Sequence, residues 1–375
     1  MGRERKHLLP TRRRRLPLDS VFRHWTAHFS PRVLSQEKRM RVFLTGGTGF
    51  IGQPLTRALL QRGWEVVALV RRLDSAGAKT IQAMGAQLVQ GDITNRDSMR
   101  EAMTGANAVI HNAGWYKFGI TKQEQNLMRA INVQGTENTL ELAVELGIPK
   151  IVYVSTILVF GATGDVVADE TFQRRVPPQS YYEQTKTEAH ELAVKLQQRG
   201  APIVIACPAG VIGPGDHSGL GYLVRMYVRG MLPPVLWAAN GRRAHVYVDD
   251  AAEAIVRCVE YGRVGEAYIL SNGIMRHQDM FNFWKQTPGG FKTTLFWMPD
   301  SLAMLFNQVA ELFERLLGLP IIFSREFALA AFASWQFSAA KAERELGMHF
   351  RSLEQAWLDT LEAERTIAQK KKTRR

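Results

Sequence analysis

The chain has 375 residues, with 48 Lys plus Arg against 35 Asp plus Glu and a formal net charge of +13. Residues 1–39 hold 11 basic and 3 acidic groups, residues 370–375 hold 5 basic ones, and residues 40–369 hold 32 of each, so the body is neutral. This disfavours a nucleic-acid surface, because the excess sits in two ends without apolar periodicity; Cys207 and Cys258 match no metal or redox spacing, which leaves a reduced, cytoplasmic compartment as the default.

The basic leader, residues 1–39, is expected to be disordered or a start-site artefact. An organelle-targeting segment would share its Arg-rich, acid-poor composition, but the leader is poor in Ser and lacks an amphipathic repeat. An upstream start with Met40 as the functional first residue is preferred, because "MRVFLTGGTGFIGQPLTRALLQRG" already reads as a first strand, a glycine turn and a first helix.

From Arg41 onward short β-branched runs alternate with helical segments. "RVFLTG" leads into the helix "PLTRALLQRG", whose Pro54 suits a first turn and whose Gly63 suits a helix end. The strand "EVVALV" follows, then a helix near residues 75–84, the strand "QLVQGD", a helix near 96–103 and the strand "AVIHNAG". A long helical region spans about 123–146. After it come the strand "KIVYVST", a helix beginning near Tyr182, and the strand "PIVIACPAG". Near-continuous apolar strands alternating with helices predict an α/β fold, a Rossmann-type doubly wound parallel sheet with helices on both faces. Ligands in such sheets bind beyond the carboxyl ends of the strands.

After Gly210 the pattern loosens and becomes rich in Gly and Pro, then mostly helical. The expected organisation is a dinucleotide-binding domain over 40–271 with a lobe insertion near 214–244, a smaller helical substrate lobe over 272–360, and a basic tail over 361–375. The apolar stretch "LFWMPDSLAMLFNQVAELFERLLGLPIIF" is interrupted by Asp300, Glu311, Glu314 and Arg315, so no membrane span is expected.

Gly46, Gly47, Gly49 and Gly52 stand directly between the first strand and the first helix. Glycines there permit a tight turn and close backbone approach to a pyrophosphate at the helix N-terminus; an ordinary structural turn is the plainer alternative. The second strand ends in Val70, Arg71 and Arg72 where NAD sites carry an acid, which favours NADP(H) over NAD(H), with Arg71 the preferred phosphate contact and solvated arginines the alternative. "YYEQTK" spaces Tyr182 and Lys186 by four, one face of a helix. A lysine ammonium there would stabilise a tyrosinate and draw its pKa toward the working range, suiting Tyr182 to proton transfer. The spacing alone also fits an ordinary helix surface.

Taken together, these segments resemble the extended short-chain dehydrogenase/reductase family, the NAD(P)-dependent epimerase/dehydratase group, across nearly all of residues 40–360. The resemblance implies a cofactor lying along Gly46, Gly47, Thr48, Gly49, Phe50, Ile51 and Gly52, with Asp92 and Ile93 of "QGDIT" at the adenine. "HNAG", with Asn112, Ala113 and Gly114, would run along the cofactor, and Asn132 of "NVQGTEN", Tyr182, Lys186 and Pro208 complete the implied set. Thr156 of "YVSTILVFG", beside Ser155, supplies the hydroxyl that steadies the substrate oxygen, making Thr156, Tyr182 and Lys186 the catalytic group. Asp249 and Asp250 match the family's later Val-Asp-Asp segment. Ala206-Cys207-Pro208 departs from the common Leu-Arg-Pro, and Arg71 departs from the sugar epimerases toward the dihydroflavonol-reductase-like and hydroxysteroid-dehydrogenase-like branch.

The expected function is NADP(H)-dependent hydride transfer to or from a carbonyl or secondary alcohol of a moderately apolar small molecule. The aromatic segments "WYKFG", "LGYLVRMYV" and "TTLFWMP" are the proposed pocket, with core packing as their alternative. A nucleotide-sugar epimerase or dehydratase stays open through Arg225, Arg229, Arg242 and Arg243. A non-catalytic NADP-binding protein is the third reading, against which the intact Thr156, Tyr182 and Lys186 argue. Beyond a small-molecule substrate, no nucleic-acid partner and no metal are expected, and a homodimer is held open.

Overall fold

The computed structural model describes residues 39–288, 296–317 and 323–373. The leader expectation for 1–38 and part of "TTLFWMP" lie outside them.

The first half follows the predicted alternation. In chain order run β1 Arg41–Thr45, α1 Gly52–Gln61, β2 Glu65–Val70, α2 Ala76–Met84, β3 Gln87–Gln90, α3 Asp97–Met103 and β4 Ala108–His111. The region predicted as one helix over 123–146 is three pieces: α4 Lys122–Arg129, a π-helical turn Ala130–Gln134, and α5 Gly135–Glu145. Such π turns accumulate at functional sites, and this one carries Asn132. β5 Ile151–Val154, α6 Tyr181–Gln198 and β6 Ile203–Pro208 follow.

The remaining elements are β7 Gly210–Ile212, α7 Gly219–Val228, β8 Val235–Leu236, β9 Arg242–Tyr247, α8 Val248–Glu260, β10 Ala267–Leu270, β11 Gly273–Arg276, α9 His277–Gln286, β12 Phe296–Trp297, α10 Asp300–Leu316, α11 Arg325–Phe332, α12 Ala340–Leu346 and α13 Leu353–Thr373.

Seven strands form one parallel sheet in the order β10-β6-β5-β4-β1-β2-β3. Its strands are nearly continuous apolar runs because helices cover both faces: Val42, Phe43, Leu44, Ile151, Val152, Ile203 and Val204 are fully buried. Strand order reverses between β1 and β4, the place where doubly wound sheets open a crevice for ligands.

The substrate lobe does not begin cleanly at residue 272. Its three-stranded sheet, β11-β9-β7, draws β7 and β9 from before that point, while α12, well after it, packs on β10 and α8 of the main domain. The stretch expected as a basic tail from 361 is instead the second half of α13. Leu353, Trp357 and Leu361 recur every four residues and bury in a second core with Tyr227 and Trp284, and Glu364 accepts the Gly215 N–H at 2.8 Å. Apolar periodicity with period 3.6 overrides the charge run that follows it.

Candidate active site

The turn after β1 shapes the floor of the site. Gly46 leaves the strand with φ of +72°, and a Cβ there would stand 2.7 Å from the Ala113 nitrogen. Gly49 N–H closes the turn on the Gly46 carbonyl at 3.1 Å, and the Asn112 amide donates to the same oxygen at 3.2 Å. Helix α1 begins without a side-chain cap at Ile51 and without an acid in its first turn, so its N-terminal partial positive charge is left for an anion. A cofactor pyrophosphate fits this cradle, because the glycines remove the side chains that would fill it.

Below the turn a buried polar chain ties strands to helices. Thr45 Oγ1 meets His111 Nδ1 at 2.8 Å and accepts the Ala113 N–H at 3.2 Å, and His111 Nε2 meets Thr136 Oγ1 at 3.0 Å. Burial lowers His111 to about 3, so it acts as a neutral brace. Asn132, on the π turn, clamps the next loop: its Oδ1 accepts the Trp115 N–H at 2.7 Å, and its Nδ2 donates to the Trp115 carbonyl and to Thr185 Oγ1.

A cavity of about 680 Å³ runs along the carboxyl ends of the strands. Gly46, Thr48, Gly49, Phe50, Ile51, Arg71, Asp92, Ile93, Asn112, Ala113, Gly114, Thr156, Tyr182, Lys186 and Pro208 all line it. Of the expected set, Gly47, Gly52, Arg72 and Asn132 are not among the lining residues. Gly47 packs against Leu44 and Thr56, Gly52 abuts the Gly46 carbonyl, Arg72 is exposed, and Asn132 acts through Trp115. Asp92 spends Oδ1 on Thr94, accepting both its N–H and its hydroxyl at 2.9 Å.

Thr156 caps a short 3-10 turn by accepting the Leu158 N–H at 3.3 Å, an interaction that leaves its own proton free to point into the cavity. Neighbouring Ser155 is taken up by His190, at 3.0 Å. Ser180 caps α6 by accepting the Glu183 N–H, which fixes the first turn carrying Tyr182. The expectation that Lys186 draws the Tyr182 phenol down is not met in this structure. Lys186 Nζ donates to Tyr153 Oη and to the Val154 carbonyl, each at 3.0 Å. Burial, reinforced by Tyr116 and Tyr153, pushes the Tyr182 phenol well above its ordinary value, and burial pulls Lys186 down to about 8. Tyr182 is thus a protonated phenol at neutral pH, with its ring met edge-on by Tyr116 at 4.7 Å.

Part of the lining was not anticipated. Asp216, His217 and Ser218 come from the loop before α7, and Trp335 arrives from the far end of the chain. Trp335 is pinned there by its N–H to the Arg242 carbonyl at 2.7 Å and its carbonyl to the Ala244 N–H at 2.8 Å. The Gly- and Pro-rich "GPGDHSG" is the signal that marks the first group; no signal in the sequence marks Trp335. Of the proposed pocket segments, Trp115, Tyr116 and Leu220 line the cavity, whereas Phe296 and Trp297 of "TTLFWMP" do not; they form β12, paired to β8. Arg243 lines the cavity, donates to the Ala330 carbonyl, and has a buried Nε with no partner. Asp250, in contrast, is structural, gripped by Arg351 at 2.9 Å and by Asn272 at 2.6 Å.

Comparison with known proteins agrees with this fold. The pattern of the NAD dependent epimerase/dehydratase family matches residues 42–271. The 4-hydroxy-2-methyl-3-oxo-4-farnesyl-3,4-dihydroquinoline-1-oxide ketoreductase of Stigmatella aurantiaca is 29% identical over 86% of this chain and 96% of its own length. The crystal structure of gox2253 superposes with a TM-score of 0.74 at 28% identity, covering 88% of this chain and 99% of that one. The UDP-glucose 4-epimerase of Thermotoga maritima shares the fold, with a TM-score of 0.69 at 21% identity, covering 88% of this chain and all of that one.

Proposed function

The chain belongs to the NAD dependent epimerase/dehydratase family, the extended short-chain dehydrogenase/reductases. From that premise we propose that this NAD(P)-dependent enzyme uses NADP(H) to interconvert a carbonyl and a secondary alcohol on a moderately apolar small molecule. The observation that carries the reading is a single cavity lined by the glycine turn, Arg71, Thr156, Tyr182 and Lys186 together.

Bound NADP(H) supplies or accepts the hydride at its nicotinamide. The protein supplies the proton and the surroundings. Tyr182, kept protonated by burial, donates to the substrate oxygen, and Thr156 steadies that oxygen through its free hydroxyl proton. Lys186, held by Tyr153 and the Val154 carbonyl, places a positive charge in the wall behind the phenol. Trp115, Tyr116, Leu127, Leu220 and Trp335 give the cavity an apolar share suited to a ring or chain. The Stigmatella relative is named as a ketoreductase acting on a farnesylated ring, a substrate of the same chemical class. The NADP preference rests on β2 ending at Val70 with Arg71 beyond it, since a guanidinium pairs with a 2′-phosphate.

A second reading, a nucleotide-sugar enzyme, is favoured by Arg243 alone, a guanidinium that lines the cavity. Oxidation of NADPH against a panel of aldehydes and ketones tests the first reading. Turnover of an apolar carbonyl supports it, and tight binding of a uridine or thymidine diphosphate without any such turnover transfers the assignment to the second.

A further inference from the structure

Helix α10 turns its apolar face to water. Leu302, Leu305, Val309, Leu312, Phe313 and Leu316 recur at three- and four-residue spacing, and each is between 44% and 72% exposed. The opposite side is mixed, with Ala303, Met304 and Ala310 beside polar groups that are bonded within the chain. Glu311 holds Arg315 at 2.6 Å and accepts the Arg325 N–H at 2.9 Å, Glu314 accepts the Phe323 N–H at 3.2 Å, and Ala303 and Asn307 are buried. The apolar surface continues past the helix. Trp237 packs on Phe306, and next to it the β8/β12 ladder pairs Val235 with Phe296, 38% and 63% exposed.

We infer that this face binds an anionic lipid surface and lies in its interfacial layer. A contiguous apolar patch of this kind marks an interaction site, and three observations select a bilayer over a second protein. First, α10 is 17 residues, roughly 25 Å long, and among the described residues no helix is long and apolar enough to cross a membrane, so it lies flat. Second, the ionised groups of its last two turns are already bonded within the chain. A protein partner would need about one hydrogen bond per 100–200 Å², whereas hydrocarbon needs none. Third, the charge is complementary: residues 40–369 are neutral in sum, while residues 370–375 add +5. Stable attachment takes two signals, an apolar face and basic segments drawn to anionic headgroups. This chain has both. The inference does not depend on the reaction catalysed.

The test uses the full chain and a triple variant, Leu305→Gln, Phe313→Gln and Leu316→Gln, whose exposed positions leave the core intact. Flotation is measured with vesicles of phosphatidylcholine alone and of phosphatidylcholine mixed with phosphatidylglycerol, alongside sedimentation velocity and melting temperature. The expected result is that the full chain floats with the mixed vesicles, less with neutral ones, and that the variant partitions at least about tenfold more weakly at an unchanged melting temperature. Equal flotation of the variant would assign binding to the basic ends alone and overturn the inference. So would no flotation of the full chain, or a full-chain dimer that the variant breaks without vesicle binding, which would make the face an interface between copies.

Discussion

Gly46 carries more of the cofactor cradle than its size suggests. Its φ of +72° lies in the left-handed region, and any Cβ would press on the Ala113 backbone at 2.7 Å, a contact that only backbone movement relieves. Gly46→Ala should therefore raise the NADPH dissociation constant at least about tenfold, about 1.4 kcal/mol, in a fluorescence titration; unchanged affinity would show that the turn tolerates displacement. Arg71 should set the choice of cofactor. NADPH is expected to bind at least about tenfold tighter than NADH, and Arg71→Ala should remove most of that gap, whereas equal constants in the parent enzyme would sever Arg71 from the 2′-phosphate. Gly46, Gly49, Arg71, Tyr182 and Lys186, expected from spacings of a few residues, line one cavity. Tyr153 was not expected. It receives the Lys186 ammonium across 33 positions of chain, and nothing in "KIVYVST" distinguishes a strand tyrosine that braces a lysine from one that fills a core.

The elements bring these residues together through joints of unequal visibility. The parallel strands were legible because apolar runs buried on both faces have few alternatives, but the break of the 123–146 helix at its π turn was not. That break follows from the Asn132 side chain reaching Trp115 and Thr185, a tertiary demand with no local signature. The two-residue strands β8 and β12 are too short to carry a period, and the basic residues after Glu364 masked the continuation of α13. One joint invites a direct measurement. Arg351 grips both Asp250 oxygens from the segment before α13, at 2.9 and 2.9 Å, so this ion pair fastens the start of α8 to the C-terminal helix. Asp250→Ala should cost about 1–2 kcal/mol in denaturant unfolding, since the Asn272 amide and the Arg351 guanidinium lose an acceptor while Arg351 keeps Asp359 at 2.6 Å. A loss below about 0.5 kcal/mol would reduce the pair to a surface contact.

At the scale of the whole molecule, four histidines among the described residues are folded in their neutral form. Burial lowers His111 to about 3 and His190 and His277 to about 4, and takes His245 well below its ordinary 6.5. Below pH 6.5 the unfolded chain binds protons that the folded chain refuses, so folding stability falls as pH drops from 6.5 toward 4, by at most about 1.4 kcal/mol per pH unit for each histidine. The melting temperature should decline steadily between about pH 6.5 and pH 4.5, and a flat profile there would mean that these rings are reached by water. None of this was readable from the sequence, where the histidines are scattered and only the fold places His111 under the glycine turn and His190 behind Ser155. An NADP(H)-dependent oxidoreductase whose Tyr182 moves the proton should lose turnover in Tyr182→Phe, compared with the parent enzyme on a carbonyl substrate found in the NADPH panel. The substitution removes one oxygen from the cavity, so NADPH should bind within about twofold of normal while kcat falls by about 10²–10⁴; turnover at the parental rate would contradict this role and assign the proton to another group.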